Sequence, residues 1–167
     1  MDRGHELMQH VPRLRRYARA LTGDRSRADD LVQDTLERAL VKLHLWRPGS
    51  DLRAWLFTVM HNVHVNQARA PGANLVTLDV ETLDIPARDT QADGLELRDL
   101  ATMLARLPEE QREALLLVGL EEMTYDEVAR ALGIPIGTVM SRLSRARERL
   151  RTLLTGGAAV SPLKVVK

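Results

Sequence analysis

The sequence predicts an all-α protein in which two small helical domains are joined by an acidic linker and the second domain ends in a helix-turn-helix. Aromatic residues make up only 3% of the 167 residues, so the cores must be built from Leu, Val, Ala and Met, which favours helix over sheet. Apolar residues recur at helical spacing in two long stretches. Between these stretches, residues 72–94 show no helical period and carry one arginine against five acidic residues.

Three helices are expected in the first domain, residues 1–71. Apolar side chains recur at helical spacing over residues 7–22. A second, strongly amphipathic helix of about five turns contains the apolar stripe of residues 31–43. After a turn at 46–50, a third helix is expected from residue 52 to about residue 70.

The second domain, residues 95–155, is expected to begin with two further helices and to end in the helix-turn-helix. The first helix covers residues 97–107, where Leu-Pro ends it, and the next covers 109–120. Residues 156–167 are expected to form a loose tail.

The helix-turn-helix is predicted from capping and turn signals. Thr124 and Glu127 form a capping box, Gly133 can adopt the left-handed conformation that ends a helix, and Pro135 prevents its continuation. The helix that follows carries five arginines against one glutamate between residues 137 and 151. A basic second helix after a tight turn suits a DNA major groove, although many Arg-rich helix faces are only solvated surface.

The composition excludes several classes of function. The formal net charge is only +1, so any nucleic-acid site must be local, and no cysteine is present for disulfide or thiol chemistry. No nucleophile–base pair, phosphate loop or metal set is apparent, so an enzyme and a bound cofactor are not expected. His61 and His64 have a spacing that could share a metal, but no cysteine or neighbouring carboxylate completes a set. Without a signal peptide or an apolar span, a soluble, cytoplasmic chain without membrane insertion is expected.

Three motifs resemble those of the extracytoplasmic-function (ECF) RNA polymerase sigma factors, the minimal members of the sigma-70 family. Residues 29–35, Asp-Asp-Leu-Val-Gln-Asp-Thr, look like region 2.2 of that family. Residues 52–57, Leu-Arg-Ala-Trp-Leu-Phe, followed by Asn62 look like regions 2.3 and 2.4. Residues 107–112, Leu-Pro-Glu-Glu-Gln-Arg, with the helix-turn-helix look like region 4. The resemblance spans about residues 8–154.

The resemblance implies that an acidic face of the second helix docks on the clamp helices of the largest polymerase subunit. Asp30, Gln33 and Asp34 lie at offsets of zero, three and four and therefore share one helix face. Such a patch suits a basic partner surface; a solvated helix face is the alternative.

The third helix, by the same resemblance, opens the −10 promoter element. The residues implied at −10 DNA are Arg53, His61, Asn62, Asn66 and Arg69. Opening DNA requires groups that accept an unstacked base and hold the displaced strand. The family often has an aspartate where Asn66 stands, which leaves the −10 preference open. Trp55 matches a family tryptophan but has the spacing of a core residue.

The helix-turn-helix is implied to bind the −35 element, with the second domain also gripping the polymerase flap. The residues implied at −35 DNA are Thr138, Met140, Ser141, Arg142, Ser144 and Arg145. Arginine can bond a guanine edge bidentately, and serine can reach phosphate or base. Met140 departs from the Lys or Arg that the family often has there.

The resemblance further implies a monomer when free, obligate partnership with core polymerase, promoter DNA as ligand, and control by an anti-sigma factor. The acidic linker would pass through the polymerase cleft, although an acidic solvated tether fits its composition equally well. The alternative function is a dimeric helix-turn-helix regulator that binds DNA alone, with the first domain sensing a signal.

Overall fold

The computed structural model describes residues 2–69 and 99–156, and all regular structure in these two ranges is helical. The linker and the C-terminal tail lie outside the described residues. The N-terminal helices are α1 (Arg3–Met8), α2 (Val11–Thr22), α3 (Arg25–Lys42), a 3-10 turn (Leu43–Leu45) and α4 (Leu52–Arg69). The C-terminal helices are α5, visible over 99–105, α6 (Glu109–Gly119), α7 (Tyr125–Leu132) and α8 (Ile136–Leu154).

The single helix expected over residues 7–22 is two helices, so residues 2–69 contain four α-helices where three were predicted for the first domain. The chain turns at residues 9–10, and α2 starts with Pro12 in its first turn. Proline has no N–H to donate and is favoured at that position, so the helix restarts there. The short α1 nevertheless joins the core, because Leu7 is fully buried.

The break between α2 and α3 is built by two adjacent residues. Gly23 ends α2 in the left-handed conformation (φ 70°), and the side chain of Asp24 accepts a hydrogen bond from the N–H of Ser26 at 3.1 Å. A left-handed glycine followed by an Asp N-cap satisfies backbone groups at both helix ends. The α2–α3 hairpin is therefore fixed by local chemistry.

A core of aliphatic residues with few rings holds the helices together. Tyr17 and Phe57 meet edge to face, with ring centroids 5.0 Å apart, and Leu14, Leu31 and Leu56 are fully buried around the same core. Buried apolar residues form one cluster that continues into the C-terminal helices. There α2 packs on α6 and α4 packs on α7, so the two parts of the chain form one closed body.

Arg112 joins the two parts through backbone carbonyl groups. Its guanidinium donates to the carbonyl of Leu21 at the end of α2, at 2.7 Å. It also donates to the carbonyls of Leu104, Ala105 and Leu107, at 2.9, 3.3 and 2.8 Å. The last carbonyls of a helix lack intrahelical partners and carry the negative end of the helix dipole. One buried cation therefore caps the ends of both α2 and α5.

Replacing Arg112 with alanine is expected to destabilise the protein by about 3 kcal/mol, since buried carbonyl groups lose charge-assisted hydrogen bonds. Urea unfolding followed by circular dichroism measures the change. Arg106→Ala, which removes an exposed arginine nearby, is the matched control and is expected to shift stability by less than about 0.5 kcal/mol. Equal midpoints for the two variants would contradict the role assigned to Arg112.

Candidate nucleic-acid and partner surfaces

The polar face of α3 is fully available to a partner. Asp30, Gln33 and Asp34 are all exposed. Gln67 of α4 donates its side-chain amide to Asp34 at 2.6 Å, and Gln33 donates to Glu37 at 3.4 Å. The first of these bonds orients the Asp34 carboxylate without covering it, so the face remains an ordered acidic and amide surface.

The five residues expected at −10 DNA do not form one surface in this closed arrangement. Asn62, Asn66 and Arg69 are exposed on α4. Arg53 lies about half a turn away around the same helix, and His61, which adjoins Asn62, lies about 100° away, since each residue advances by about 100°. Both of these side chains face the C-terminal helices and are only partly exposed. The five residues are therefore divided between an exposed face of α4 and a face that the C-terminal helices cover. They do not form the single site that was expected.

Arg53 is held by several acceptors at once. Nη1 donates to the backbone carbonyl of Glu121 at 2.7 Å. Nη2 lies 3.5 Å from Asp51 and 3.9 Å from Glu127. Asp51 also caps α4 by accepting from the N–H of Arg53 at 3.0 Å, so Arg53 links the start of α4 to the start of α7.

Two histidines of α4 contact two carboxylates of α6. Nδ1 of His61 lies 2.5 Å from Glu113, and Nε2 of His64 lies 2.9 Å from Glu109. Within the described residues no three potential ligands cluster as a metal site would require. Sequence reasoning missed these carboxylates because they lie 52 and 45 positions along the chain from their histidines.

Glu121 is a buried acid between the two parts of the chain. Its carboxylate lies 3.4 Å from Arg13 and 3.5 Å from Arg16, both on α2, and its side chain is 0% exposed. Among the described residues, none donates a hydrogen bond to its Oε1, although Nε of Arg13 lies 3.4 Å from that atom. Burial raises the pKa of Glu121, and the nearby Arg16 and Arg13 only partly oppose this rise. The carboxylate is thus costly to bury and depends on its arginines.

The helix-turn-helix forms as the sequence predicts. Thr124 and Glu127 make the reciprocal capping box at the start of α7, and Gly133 ends that helix with φ 67°. On α8, Val139, Leu143 and Ala146 are buried. The opposite face of α8 therefore points to solvent.

Five of the six residues expected at −35 DNA lie away from the buried stripe of α8, and Arg142 lies beside that stripe, toward α6. Met140, Ser144 and Arg145 are exposed, whereas Thr138, Ser141 and Arg142 are partly covered. Ser141 donates to the carbonyl of Thr138 at 3.2 Å, and Arg142 lies 3.7 Å from Glu110 of α6. Arg145 is consequently the most available guanidinium of the set.

Trp55 matches a tryptophan of the family and has the helical spacing of a core residue. It is partly buried and packs against the hydrophobic core. The structure therefore accounts for it as a packing residue.

Within residues 2–69 and 99–156, every helix is too short or too polar to span a bilayer.

The contact between His64 and Glu109 makes stability depend on pH. The hydrogen bond from His64 lowers the pKa of Glu109, and Arg112 and Arg27 add to this effect against the opposing influence of burial. A carboxyl with a lowered folded-state pKa stabilises the fold above its unfolded pKa of about 4.5 and loses this contribution as pH falls through the folded value.

We therefore expect the stability advantage of the wild type over Glu109→Gln to shrink between about pH 5.5 and pH 3. Urea unfolding at several pH values measures this difference. Glu110→Gln, at a neighbouring acid that is 74% exposed, serves as the control and should show a smaller dependence. A constant difference for Glu109→Gln across the range would contradict the assigned contact.

Two family models match the two parts of the chain. Residues 7–61 match the Sigma2 domain of PhyR, and residues 97–150 match Sigma-70, region 4. The first matched segment contains α2, α3 and most of α4. The second contains α6, α7 and most of α8.

Similar proteins match both segments together. The ECF RNA polymerase sigma factor EcfG of Rhodopseudomonas palustris (strain TIE-1) is 39% identical over 150 residues, which cover 89% of this chain and 83% of that protein. The sigma factor RpoE from Bartonella quintana, solved in complex with the anti-sigma factor NepR, has a TM-score of 0.74 and 38% identity, covering 90% of this chain and 95% of that one. CnrH, solved with the cytosolic domain of CnrY, has a TM-score of 0.66 and 28% identity, covering 93% and 88%.

Proposed function

We propose how this chain, which belongs to the ECF family of sigma-70 RNA polymerase sigma factors, divides promoter recognition between its two domains. As a family member it is a non-enzymatic factor that binds core polymerase and directs it to promoters. In the proposal, residues 1–71 contact the polymerase and the −10 element, and residues 95–155 bind the −35 element. Residues 72–94 connect the two, and 156–167 form a tail.

Docking on polymerase is assigned to the α3 face. Asp30, Gln33 and Asp34 are exposed, and their charge complements a basic helical surface such as the clamp helices of the largest subunit. The bond from Gln67 preorganises Asp34, which reduces the entropy lost on binding. The flap of the polymerase is the proposed second contact, on the C-terminal helices.

Promoter contact is assigned to α4 and α8. On α4, Asn62, Asn66 and Arg69 form an exposed face whose amides and guanidinium can hold an unstacked strand. Arg53 and His61 point away from that face toward the C-terminal helices, so they are proposed as separate DNA contacts that require release of their present partners. On α8, the observation that carries the proposal is the solvent-facing Arg145 on a helix whose opposite side is buried, which is the geometry of a recognition helix.

Regulation by an anti-sigma factor is proposed from similarity, since RpoE is held by one in its solved structure. Such a protein would compete with polymerase for the exposed surfaces. The free chain is proposed to be a monomer, and its polymerase partnership places its action in the cytoplasm.

Transcription with purified components tests the proposal as a whole. The protein is mixed with bacterial core polymerase and genomic DNA fragments, and transcript starts are sequenced. Discrete new starts that share −35 and −10 elements support it. Tight DNA binding by a free dimer without any initiation would favour the alternative, a stand-alone regulator.

Reversing the charge of the α3 face is expected to weaken polymerase binding. Asp34→Arg should lower the affinity for core polymerase by about tenfold or more, because an attractive contact becomes repulsive. Asp99→Arg, at an exposed acid of the C-terminal helices, is the matched charge reversal and should change affinity much less. Native-like helix content with normal core binding in Asp34→Arg would remove this face from the docking surface.

Truncation of the recognition-helix arginines is expected to relax promoter choice. Arg145→Ala and Arg142→Ala should each cost about 1–3 kcal/mol at the −35 element and broaden preference at one position. Transcription from a library of −35 variants measures both effects. Arg147→Ala is the comparison, because a backbone contact would weaken all sequences uniformly. Unchanged selection in both variants refutes base reading by these residues.

A further inference from the structure

Two large apolar side chains are exposed near the start of α8, the helix proposed to enter the major groove. Ile136, the first residue of α8, is 40% exposed, and Met140 is 49% exposed. The two residues are four positions apart and therefore lie along the same side of the helix. Isolated exposed apolar residues are ordinary, whereas neighbouring ones on a proposed binding face indicate a contact with a partner.

The fold itself makes little use of these two side chains. The buried stripe of α8 consists of Val139, Leu143 and Ala146. Met140 follows Val139 directly and therefore lies about 100° around the helix from it. Neither Ile136 nor Met140 is among the described residues that form the core or pack against it. A substitution at Met140 is therefore expected to leave the helix-turn-helix folded.

The polar neighbours of Met140 show which kind of DNA group is left for it. Arg145 is exposed and can bond a guanine edge. The hydroxyl of Ser141 donates to the carbonyl of Thr138 at 3.2 Å, so its single hydrogen is already engaged inside the helix. Ser144 is exposed and lies one turn after Met140 on the same side. Met140 thus adds an apolar group to a surface that is otherwise polar.

The major groove offers one apolar group of its own, the C5-methyl group of thymine, which other proteins recognise through apolar side chains. Methionine is unbranched and polarizable, so its side chain adapts to the position of a partner. The N-terminal residues of a recognition helix are the ones that contact base edges, and Met140 is the fifth residue of α8. Its place and its chemistry therefore both fit a thymine methyl group.

We propose that Met140 reads the C5-methyl group of a thymine in the −35 element, while Ile136 extends the apolar surface that excludes water from this contact. The inference rests on the proposed function and deepens it by naming the chemical group that is read. Met140 selects the base pair by burying a methyl group, in contrast to the hydrogen bonds assigned to Arg145.

The test removes only the methyl group from the DNA. The full chain is combined with core polymerase on a promoter identified by sequencing its transcript starts. Each thymine of the −35 element, on either strand, is replaced in turn by deoxyuridine, and affinity is measured by titration in a mobility-shift assay. We expect about a fourfold loss of affinity at one thymine, which corresponds to the value of about 0.8 kcal/mol for burying one CH₂ group.

Substitution of Met140 connects that loss to the protein. Met140→Gln keeps the length of the side chain and makes its end polar, so the ratio of thymine to deoxyuridine affinity should fall below about 1.5-fold. Met140→Leu stays apolar and should keep a ratio of at least about twofold. Met8→Gln changes a methionine of α1 that is 57% exposed; it is the matched control and should keep the wild-type ratio.

A second measurement restores the methyl group on a different base. The sensitive thymine is replaced by cytosine or by 5-methylcytosine, each paired with guanine, and the two DNAs differ only in a methyl group at C5. The wild type should bind the 5-methylcytosine DNA about fourfold more tightly than the cytosine DNA. Met140→Gln should bind the two with equal affinity.

The outcomes separate this inference from the proposed function. A wild type that is insensitive to deoxyuridine at every −35 thymine overturns methyl reading. An equal deoxyuridine loss in the wild type and in Met140→Gln also overturns it, because Met140 would then contact phosphate or pack within the domain. Failure of the wild type to initiate transcription with core polymerase removes the proposed function and this inference with it, whereas initiation without methyl dependence removes the inference alone.

Discussion

The closed arrangement depends on Arg112, a single guanidinium placed where two helices end. Its bonds to Leu21 on one side and to Leu104, Ala105 and Leu107 on the other reach carbonyls at or just beyond the ends of α2 and α5. Burying a cation is costly unless its hydrogen bonds are met, and here four carbonyls meet them. Because three of these carbonyls belong to the C-terminal helices, opening the molecule would release only the bond to Leu21, and the C-terminal fold would keep its own cap.

The local parts of the fold were predictable from sequence because their causes are local. The capping box of Thr124 and Glu127, the left-handed Gly133 and the bounds of α6 each depend on residues within a few positions. The division of residues 7–22 into two helices was missed, although Pro12 carried the signal. A proline within a run of helically spaced apolar residues can mark the first turn of a new helix or the end of the preceding one. The spacing of the apolar residues alone does not distinguish these two possibilities.

The candidate site was predictable in its residue types and not in its partners. The exposure of Asp34 and Arg145 follows from their place opposite apolar stripes. The contacts of Arg53, His61 and His64 depend on acids that lie 45 to 74 positions away. No pattern within one helix indicates which distant helix will cover it, and the resemblance gave Arg53 and His61 a DNA role without describing the closed molecule. The same side chains therefore have two possible partners, and only the structure displays the second.

Ion pairs buried between the two parts of the chain, such as those of Glu121 with Arg13 and Arg16, contribute little net stability. Removing charges from water offsets much of their attraction, and the raised pKa of Glu121 shows that its arginines do not fully offset its burial. Apolar contact between the two parts, visible as one continuous core, opposes opening without regard to charge.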